Sequence, residues 1–513
     1  MVACPHALAS SAGVDALRAG GTAVDAAVAA SSVLAVVYPH MCGLGGDAFW
    51  LIYDAKSRKV SYLDGGGRAA KAATLDRFAG QSEIPFRGLA PATLTTPGAV
   101  SSFCEAHGRY GRLPLKRLLQ DAIHLAREGF PVTARLQNWI AQTAHEFDPA
   151  TAAIFRPGAS RLQNPRLAST LEAIAALGRA GFYEGDVAKG LARLGGFFTT
   201  ADLAAQRAHW AEPIRGTYRG VTIVETPPPT QGFSVLEMLN LVEPLDLGPF
   251  QGADHVHALV QAKQIAYHDR DHRLADPRFA SVPVEQLISK AYAGQRRGLL
   301  DPKRALPWDK VPHDDSMKSD TVYVAAVDAE GNAASLIFSL YRVFGSCVTS
   351  PDTGVVLQNR SAYFSLDPKH PNRLEPGKTP LHTLIASMAF KGNEENSKLW
   401  AVLGCMGADG QPQIHLQAYV GMIDFGRNVQ EAVADPRWLS GRFALGEARD
   451  TLHVEARYPK AMIDELARRG HTVDRWGDWN ELAGHAHGIT VDPETELRAG
   501  GFDPRSDGAA MGY

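Results

Sequence analysis

The segment from Val24 to Val37 most constrains the fold, because it is apolar on nearly every side of a helix. Asp25 and two serines alone interrupt these about 14 residues. A helix that is apolar all round has to be buried on all sides. The segment is too short to cross a bilayer, which needs about 20 apolar residues. It therefore predicts an internal helix of a large core, ended by Tyr38-Pro39, because proline disfavours helical backbone in the residue before it.

Composition excludes several classes of function. The 513 residues carry 52 basic and 55 acidic side chains and a net charge of −3, without a run of lysine or arginine that would follow a phosphate backbone. We therefore expect neither nucleic acid nor a membrane as a partner. The five cysteines form neither a C-x-x-C pair nor a disulfide framework, which is typical of a reducing compartment. With no visible secretory signal, the expected location is cytoplasmic.

Periodicity predicts helices and one hairpin in the first part of the chain. A short helix precedes Gly20-Gly21, and the middle third is rich in helices. A polar, proline-containing segment at 301–318 is predicted to be an exposed loop. The remaining predicted elements are a hairpin of 49–53 with 60–63, a helix between Pro114 and Gly129, a helical pattern over 235–242 and a histidine-bearing helix over 263–276.

The sequence pattern changes at Thr321, from a polar segment to strand-like runs. Two strand-like runs, 321–327 and 333–340, flank a turn at 328–332, and the rest of the chain is β-rich. Strands are predicted at 400–403 and 488–491, interleaved with helices near 413–423 and 461–469. The whole pattern favours a mixed α and β fold.

Asp320-Thr321 lies at the junction of the polar segment and the first of these strands. A threonine hydroxyl is a weak nucleophile and needs a proton acceptor. A threonine freed at its N-terminus supplies its own, because its α-amine has a pKa near 8. Taken alone, Thr321 is better explained as a β-branched residue at a strand start.

Motifs along nearly the whole chain give Thr321 a more specific interpretation. The segment from Asp320 to Ala333 resembles the start of the small subunit of gamma-glutamyltransferases, and further motifs follow in the order found in that family. They are GGTAVDAA at 20–27, GLGG at 43–46, TPG at 96–98, PPPTQG at 227–232, FGS at 344–346, PGK at 376–378 and DPR at 503–505.

This resemblance implies an α+β fold, a four-layer αββα sandwich of two stacked, mainly antiparallel sheets. It also implies a precursor cut between Asp320 and Thr321 into a large subunit, 1–320, and a small subunit, 321–513, that together form one domain. Thr321 would form an acyl-enzyme, and Ser339 lies where the family has a threonine hydroxyl beside the nucleophile. Gly407 and Ala408 lie where two glycines supply oxyanion-hole N–H groups. No metal or cofactor is implied.

The sequence departs from gamma-glutamyltransferases where that family binds the substrate's α-amine and α-carboxylate. Gly66 stands at the arginine position, with Arg68 two residues on, and Tyr341 replaces an asparagine. Arg360 and Tyr363 replace a glutamine and an acidic residue. Losing the partner of a desolvated ammonium costs about 2–5 kcal/mol. The changes favour a substrate that has a carboxylate and no α-amine, bound by Arg360 together with Arg68. Both arginines are explained equally well as partners in surface ion pairs.

Two further segments are similar to the branch that contains oxamate amidohydrolases. They are YPHMCGLGGD at 38–47 and AGHAH at 483–487, whose His485 and His487 have no assigned role. Oxamate is a small amide with a carboxylate and no amine. The resemblance thus favours an amidase for an oxamate-like amide, and a glutathione hydrolase or transferase is the alternative. An inactive binding homologue is the alternative of another class, supported by Ala408 and by Val322, where the family often has threonine.

Two other motifs are interpreted as structural. The glycines at 43–46 lack the spacing of a dinucleotide loop and precede a strand. His268 and His272 have a helical spacing compatible with zinc, with His255 and His257 nearby, but no H-E-x-x-H arrangement accompanies them. We interpret these histidines as surface or core residues.

Overall fold

A computed structural model describes residues 1–313, 320–392, 397–443 and 447–513. The strands are β1 Val2–Cys4, β2 Asp47–Asp54, β3 Lys59–Gly65, β4 Phe130–Pro131, β5 Arg161–Leu162, β6 His209–Ala211, β7 Ile214–Tyr218, β8 Val221–Glu225, β9 Asp320–Val327, β10 Ala333–Tyr341, β11 Ser387–Lys391, β12 Lys398–Cys405, β13 Trp438–Ser440, β14 Leu452–Glu455, β15 Val473–Trp476, β16 Ala486–Val491, β17 Arg498–Phe502 and β18 Ala509–Met511.

The α-helices are α1 Ala7–Arg18, α2 Ala23–Val37, α3 Leu89–Leu94, α4 Ala99–Tyr110, α5 Leu115–Glu128, α6 Ala134–Thr143, α7 Pro149–Ile154, α8 Pro165–Leu177, α9 Ala180–Tyr183, α10 Gly185–Ala192, α11 Thr200–Ala205, α12 Phe233–Val242, α13 Ala253–Arg273, α14 Val284–Leu287, α15 Lys290–Arg296, α16 Gln411–Asp424, α17 Val429–Ala434 and α18 Lys460–Arg468.

Two antiparallel sheets form the centre of the protein. A seven-stranded sheet has the order β18-β1-β9-β10-β2-β3-β6, and a six-stranded sheet has the order β17-β16-β12-β11-β8-β7. Segments from both sides of residue 320 contribute strands to each sheet, and β9 lies between β1 and β10. The two parts of the chain are therefore one folded unit.

Three apolar clusters separate four layers. One cluster joins α1, α2, α4, α5 and α8 to the outer face of the seven-stranded sheet, and a second joins α12, α13 and α16 to the outer face of the six-stranded sheet. The third lies between the sheets, where Phe49, Leu51 and Tyr323 meet Met388 and Val402. The fold is the α+β, four-layer αββα sandwich that the family resemblance implies.

Strand alternation decides which side chains lie between the sheets, since successive residues of a strand point to opposite faces. Along β9, Val322 and Val324 pack in the helical cluster, whereas Tyr323 and Ala325 pack between the sheets. Thr321 has the parity of Tyr323. Its side chain therefore belongs to the inter-sheet layer, and its residue is fully buried.

Most elements expected from the sequence are confirmed. The internal helix is α2, with all 15 residues buried, and β2 pairs with β3 as the expected hairpin. Two expectations were wrong in detail. The histidine-bearing helix ends at Arg273 instead of reaching Asp276. Within the expected exposed loop, Leu306, Val311 and His313 are buried, because Leu306 and Val311 pack in the cluster beside α13. Residues 314–318 of that loop lie outside the described residues.

Candidate active site

A β-bulge brings Ser339 beside Thr321. Phe338 of β10 pairs with Val322 of β9, but Tyr341 pairs with Asp320, so Ser339 and Leu340 together stand opposite Thr321. An extra residue of this kind redirects side chains locally. The hydroxyl of Thr321 donates a hydrogen bond to the Oγ of Ser339 at 3.1 Å, and the backbone N–H of Tyr341 donates to the same Oγ at 2.7 Å. Thr321 and Ser339 are both buried.

The glycines of the 43–46 motif allow the chain to approach this bulge closely. A Cβ on Gly46 would lie 2.1 Å from the carbonyl oxygen of Ser339, and one on Gly45 would lie 2.1 Å from that of Val356. No side chain fits at such a distance, so both positions require glycine. The motif precedes β2 and opens no helix, as expected from the sequence.

Arg360 lies between two tyrosines. Its guanidinium carbon is 4.2 Å from the ring centre of Tyr341 and 5.8 Å from that of Tyr363, and the residue is 1% exposed. Its Nη1 donates to the Oγ1 of Thr383 at 3.0 Å. Its Nη2 has no hydrogen-bond partner within the described residues. Burial lowers the pKa of Arg360 from its usual value, yet a guanidinium stays charged in proteins. Arg360 is thus a rigid, stacked cation with a free donor.

Gly407 and Ala408 form a turn before α16. Their φ angles are 150° and 51°, and Ala408 is therefore in the left-handed region that costs a non-glycine residue about 1–2 kcal/mol. Within the described part of the chain, neither N–H has an acceptor. The Nε2 of Gln231 donates to the carbonyl oxygen of Ala408 at 3.1 Å. The turn therefore has two N–H groups without an acceptor, and the bond from Gln231 fixes its carbonyl side.

A buried ion pair between Arg270 and Asp409 fixes this turn next to Tyr363 and Arg360. Arg270 Nη1 lies 2.7 Å from the Oδ1 of Asp409 and donates to the Oε1 of Gln231 at 2.9 Å. The hydroxyl of Tyr363 donates to the Oδ2 of Asp409 at 2.5 Å. Both oxygens of the Asp409 carboxylate thus have partners, and Tyr363 connects the turn to Arg360.

Asp47 is a buried carboxyl next to the bulge, paired with Ser339 in the register of β2 and β10. Its Oδ1 accepts from the N–H of Gly67 at 2.9 Å and from the Nε2 of Gln358 at 3.0 Å. His382 Nε2 lies 3.1 Å from its Oδ2, in an orientation that makes no hydrogen bond. Burial raises the pKa of Asp47 to about 7, although the charge of Arg360 opposes this rise.

Within the described residues, no contact joins Arg68 to the residues around Thr321 and Arg360. Its Nη2 lies 3.4 Å from the Nδ1 of His209, and its other charged neighbours are Arg278, Asp64 and Asp276. Burial together with the charge of Arg278 lowers the pKa of Arg68. The structure brings together Thr321, Ser339, Tyr341, Arg360 and Tyr363. Asp409, which follows Gly407 and Ala408, connects their turn to Tyr363.

Sequence reasoning missed the residues that support the site, namely Asp47, Gln231, Arg270, His382 and Asp409. Two of them stand inside motifs already singled out, because Asp47 follows the glycines at 43–46 and Gln231 belongs to PPPTQG. Asp409 directly follows Ala408. Arg270 and His382 carry no local signal, since only the fold brings them to the turn and to Asp47.

Two cavities lined by described residues lie away from this group. A groove of about 840 Å³ is lined by α5 and α8, in the helical layer, and a cleft of about 420 Å³ is lined by His272, Trp308, His313 and Arg449 among others. In the described ranges, histidine, cysteine and acidic side chains form no group of three arranged for a metal ion. His268 and His272 bind backbone oxygens. The described helices include none long and apolar enough to cross a membrane.

The sandwich, with a threonine at the start of a central strand, defines an N-terminal-nucleophile hydrolase. The family model for gamma-glutamyltranspeptidase matches residues 9–513, and the chain belongs to this family. It is an amide hydrolase of this family, and its curated relatives are named as hydrolase proenzymes.

Two curated relatives and one solved structure align with the whole chain. A glutathione hydrolase-like proenzyme of Bacillus subtilis is 42% identical, with 98% of its length covered. The oxamate amidohydrolase proenzyme of Klebsiella pneumoniae is 40% identical, also with 98% of its length covered. The crystal structure of a cephalosporin acylase from Bacillus halodurans superposes with a TM-score of 0.90 at 35% identity, with 96% of that chain covered.

Proposed function

We propose that this enzyme hydrolyses a small amide that carries a carboxylate and no α-amine, with oxamate as the model substrate. Thr321 is the nucleophile, freed by cleavage of the bond between Asp320 and Thr321. Ser339 orients it, the N–H groups of Gly407 and Ala408 bind the oxyanion, and Arg360 binds the substrate carboxylate. The observation that carries the proposal is the buried Arg360, stacked beside Tyr341 and holding a free Nη2.

The chemistry follows from this placement. The α-amine of the freed Thr321 accepts the hydroxyl proton as Oγ attacks the amide carbon. The negative charge that develops on the carbonyl oxygen is stabilised by preorganised N–H donors. The amide nitrogen then leaves with a proton, and an ester to Thr321 remains. Water attacks this ester and releases the acid together with the free hydroxyl.

Thr321 is fully buried in the uncut chain, so a substrate does not reach it there. Cleavage separates the residue from Asp320 and frees its α-amine. Processing is thus the step that generates the base.

The charges near the site favour a carboxylate over an α-amino acid group. A desolvated ammonium needs an anionic or carbonyl partner. The carboxylate of Asp409 is already bound by Arg270 and Tyr363. The Oδ1 of Asp47 accepts from N–H donors, and burial raises the pKa of this carboxyl to about 7, so that it is only partly charged at neutral pH. Arg360, in contrast, has one donor, Nη2, without a partner among the described residues. Arginine is well suited to planar binding of a carboxylate. Arg68 would contribute through its charge alone.

Two alternatives to this proposal are an enzyme with another substrate and a protein without activity. A glutathione hydrolase or transferase is suggested by the name of the Bacillus subtilis relative, and it requires Asp47 or Asp409 to exchange partners for an ammonium. An inactive binding homologue is favoured by Ala408, where left-handed backbone costs energy. The free N–H groups of the turn and the hydroxyl pair at the bulge support an active enzyme instead.

Intact-protein mass spectrometry followed by a paired assay tests the proposal. Freshly purified protein is expected to give two fragments that separate between Asp320 and Thr321. The same sample is expected to release ammonia from oxamate and little anilide from a γ-glutamyl anilide. Preference for the anilide would replace our proposal by the glutathione alternative. A single uncut chain of 55.2 kDa without activity would favour the binding homologue.

A further inference from the structure

Asp47 is a buried carboxyl whose two oxygens have different surroundings. Its Oδ1 accepts three hydrogen bonds, from the N–H groups of Gly67 at 2.9 Å and Gly98 at 3.1 Å and from the Nε2 of Gln358 at 3.0 Å. Its Oδ2 has no hydrogen-bond partner among the described residues, and the residue is 1% exposed. A proton on this carboxyl therefore belongs on Oδ2, because Oδ1 is already used as an acceptor.

The side chain of Asp47 lies on the same face of the seven-stranded sheet as the nucleophile. On β2, Phe49 packs between the sheets, and Asp47, two residues earlier, has the same parity. Asp47 pairs with Ser339 of β10, whose Oγ accepts from the hydroxyl of Thr321. The ring of His382 lies 4.6 Å from that of Phe49, and its Nε2 is 3.1 Å from the Oδ2 of Asp47. Asp47 therefore borders the group around Thr321.

Two connections bring Arg360 to the same carboxyl. Gln358, which donates to Asp47, is two residues before Arg360. His382, which lies against Oδ2, is followed by Thr383, whose Oγ1 accepts from the Nη1 of Arg360 at 3.0 Å. The residue proposed to bind the substrate carboxylate and the buried carboxyl of Asp47 are thus held next to each other.

The charge of Arg360 acts on Asp47. Burial raises the pKa of Asp47 to about 7, and the charge of Arg360 is the strongest influence in the opposite direction. A nearby opposite charge favours the ionised form of a carboxyl, and a nearby like charge disfavours it. A substrate carboxylate on Arg360 offsets the positive charge and adds a negative one. Asp47 therefore holds a proton more tightly once a carboxylate is bound to Arg360.

The other titratable groups near Asp47 do not account for such a change. His382 and Tyr183 stay neutral, because burial lowers the pKa of His382 well below its usual value and raises that of Tyr183. Asp64 of β3 is a second carboxyl close to His382. The α-amine of the processed Thr321 has a pKa near 8 and acts on every substrate alike.

We infer that Asp47 is a specificity-determining residue, which selects substrates by charge because it shares Arg360 with the substrate carboxylate. The inference rests on the proposed function, since it requires a carboxylate at Arg360. A carboxylate binds when the Oδ2 of Asp47 carries a proton, whereas an uncharged substrate binds in either state. Asp47 carries this proton below about pH 7 and loses it above, so the affinity for a carboxylate falls as the pH rises.

The pH dependence of KM for two substrates tests this inference. For oxamate, KM is expected to rise about tenfold from pH 6 to pH 8, because one proton has to be taken up above a pKa of about 7. The uncharged diamide, oxamide, is expected to show no such rise, and the comparison cancels the effect of the Thr321 amine. An equal pH dependence of KM for both compounds would overturn the inference.

Asp47→Asn imitates the protonated carboxyl, since an amide offers an acceptor oxygen in place of Oδ1 and a donor in place of Oδ2. In this variant, KM for oxamate is expected to change less than about twofold between pH 6 and pH 8. Asp64→Asn is the matched control, because Asp64 is a buried carboxyl of the neighbouring strand that lies 3.3 Å from His209. The control is expected to keep the tenfold rise. A rise that persisted in Asp47→Asn would show that another group takes up the proton.

Proton uptake is measured without turnover by using oxalate, the acid that hydrolysis of oxamate releases. Calorimetric titrations of the processed wild type at pH 8, in two buffers of different ionisation enthalpy, are expected to show uptake of about one proton per oxalate. Asp47→Asn is expected to show almost none. Binding of oxalate to the wild type without proton uptake would overturn the inference.

The outcomes separate this inference from the proposed function. Hydrolysis of oxamate with a KM that does not depend on pH would overturn the role of Asp47 alone. A processed enzyme that neither hydrolysed oxamate nor bound oxalate would overturn the proposed function, and the role of Asp47 with it.

Discussion

Thr321 and Ser339 lie opposite each other at a β-bulge, with their hydroxyl oxygens 3.1 Å apart. The bulge positions the Ser339 oxygen to accept from two donors, the hydroxyl of Thr321 and the N–H of Tyr341. Tyr341 has a φ of 84°, a backbone region that a bulky residue seldom adopts. Such strain persists where the surrounding structure imposes it, and it is common at functional sites.

Replacing Thr321 by alanine is expected to abolish both processing and amide hydrolysis, because the same hydroxyl attacks in each reaction. Mass spectrometry should find a single chain of 55.2 kDa, and oxamate should remain intact. Thr321→Ser is the control, since it retains a hydroxyl at the same position and should still be cut. Robust turnover by the alanine variant would refute the assignment of the nucleophile.

Ser339→Ala is expected to reduce kcat for oxamate about 10- to 100-fold with little change in KM, because it removes a positioning hydrogen bond and contacts no substrate. Ser339→Thr keeps the hydroxyl and should retain most of the activity. Steady-state kinetics on the processed variants separate the two parameters. An increase in KM alone would show that Ser339 binds substrate and does not position Thr321.

Arg360→Gln is expected to raise KM for oxamate about 30-fold or more, since truncating one partner of a buried, hydrogen-bonded charge pair costs 2–5 kcal/mol or more. The uncharged diamide, oxamide, serves as the matched substrate. Its KM should change little, because it has no carboxylate. Equal losses with both compounds would contradict a carboxylate-binding role. The same comparison with Arg68→Gln tests whether that residue contributes at all.

Ala408→Gly should preserve activity and raise the free energy of unfolding by up to about 1 kcal/mol. Glycine removes the cost of left-handed backbone at a φ of 51°, which exceeds the entropy that glycine adds to the unfolded chain. Chemical denaturation of the processed enzyme measures the difference. Lower stability in the glycine variant would show that the methyl group of Ala408 contributes more by packing than its backbone costs.

Asp47→Asn is expected to change how stability depends on pH. The pKa of Asp47 in the folded protein is raised to about 7 from about 3.8, so the folded state binds the proton more tightly than the unfolded state. The corresponding stability is fully present below about pH 4 and is lost as the pH rises through 7. The asparagine variant lacks this loss. Thermal unfolding between pH 5 and 8 should therefore show Tm of the variant gaining on that of the wild type.

The sequence by itself determined the elements and the chemistry of the nucleophile. The internal helix α2, the hairpin of β2 with β3 and the strands β9 and β10 follow from local periodicity, which depends on near neighbours only. The motifs indicated the family, and the family resemblance implied the four-layer sandwich. Thr321 could be named because it lies inside such a motif, and Ser339, Gly407 and Ala408 could be named because they stand at positions that correspond to functional residues of the family.

Only the tertiary structure decided which of these residues meet and what supports them. Asp409 and Arg270 are far apart along the chain, and no local pattern predicts their ion pair. The raised pKa of Asp47 depends on burial in the packed protein, which no local pattern predicts. Long-range contacts and desolvation are properties of the packed layers, and local sequence patterns do not predict them.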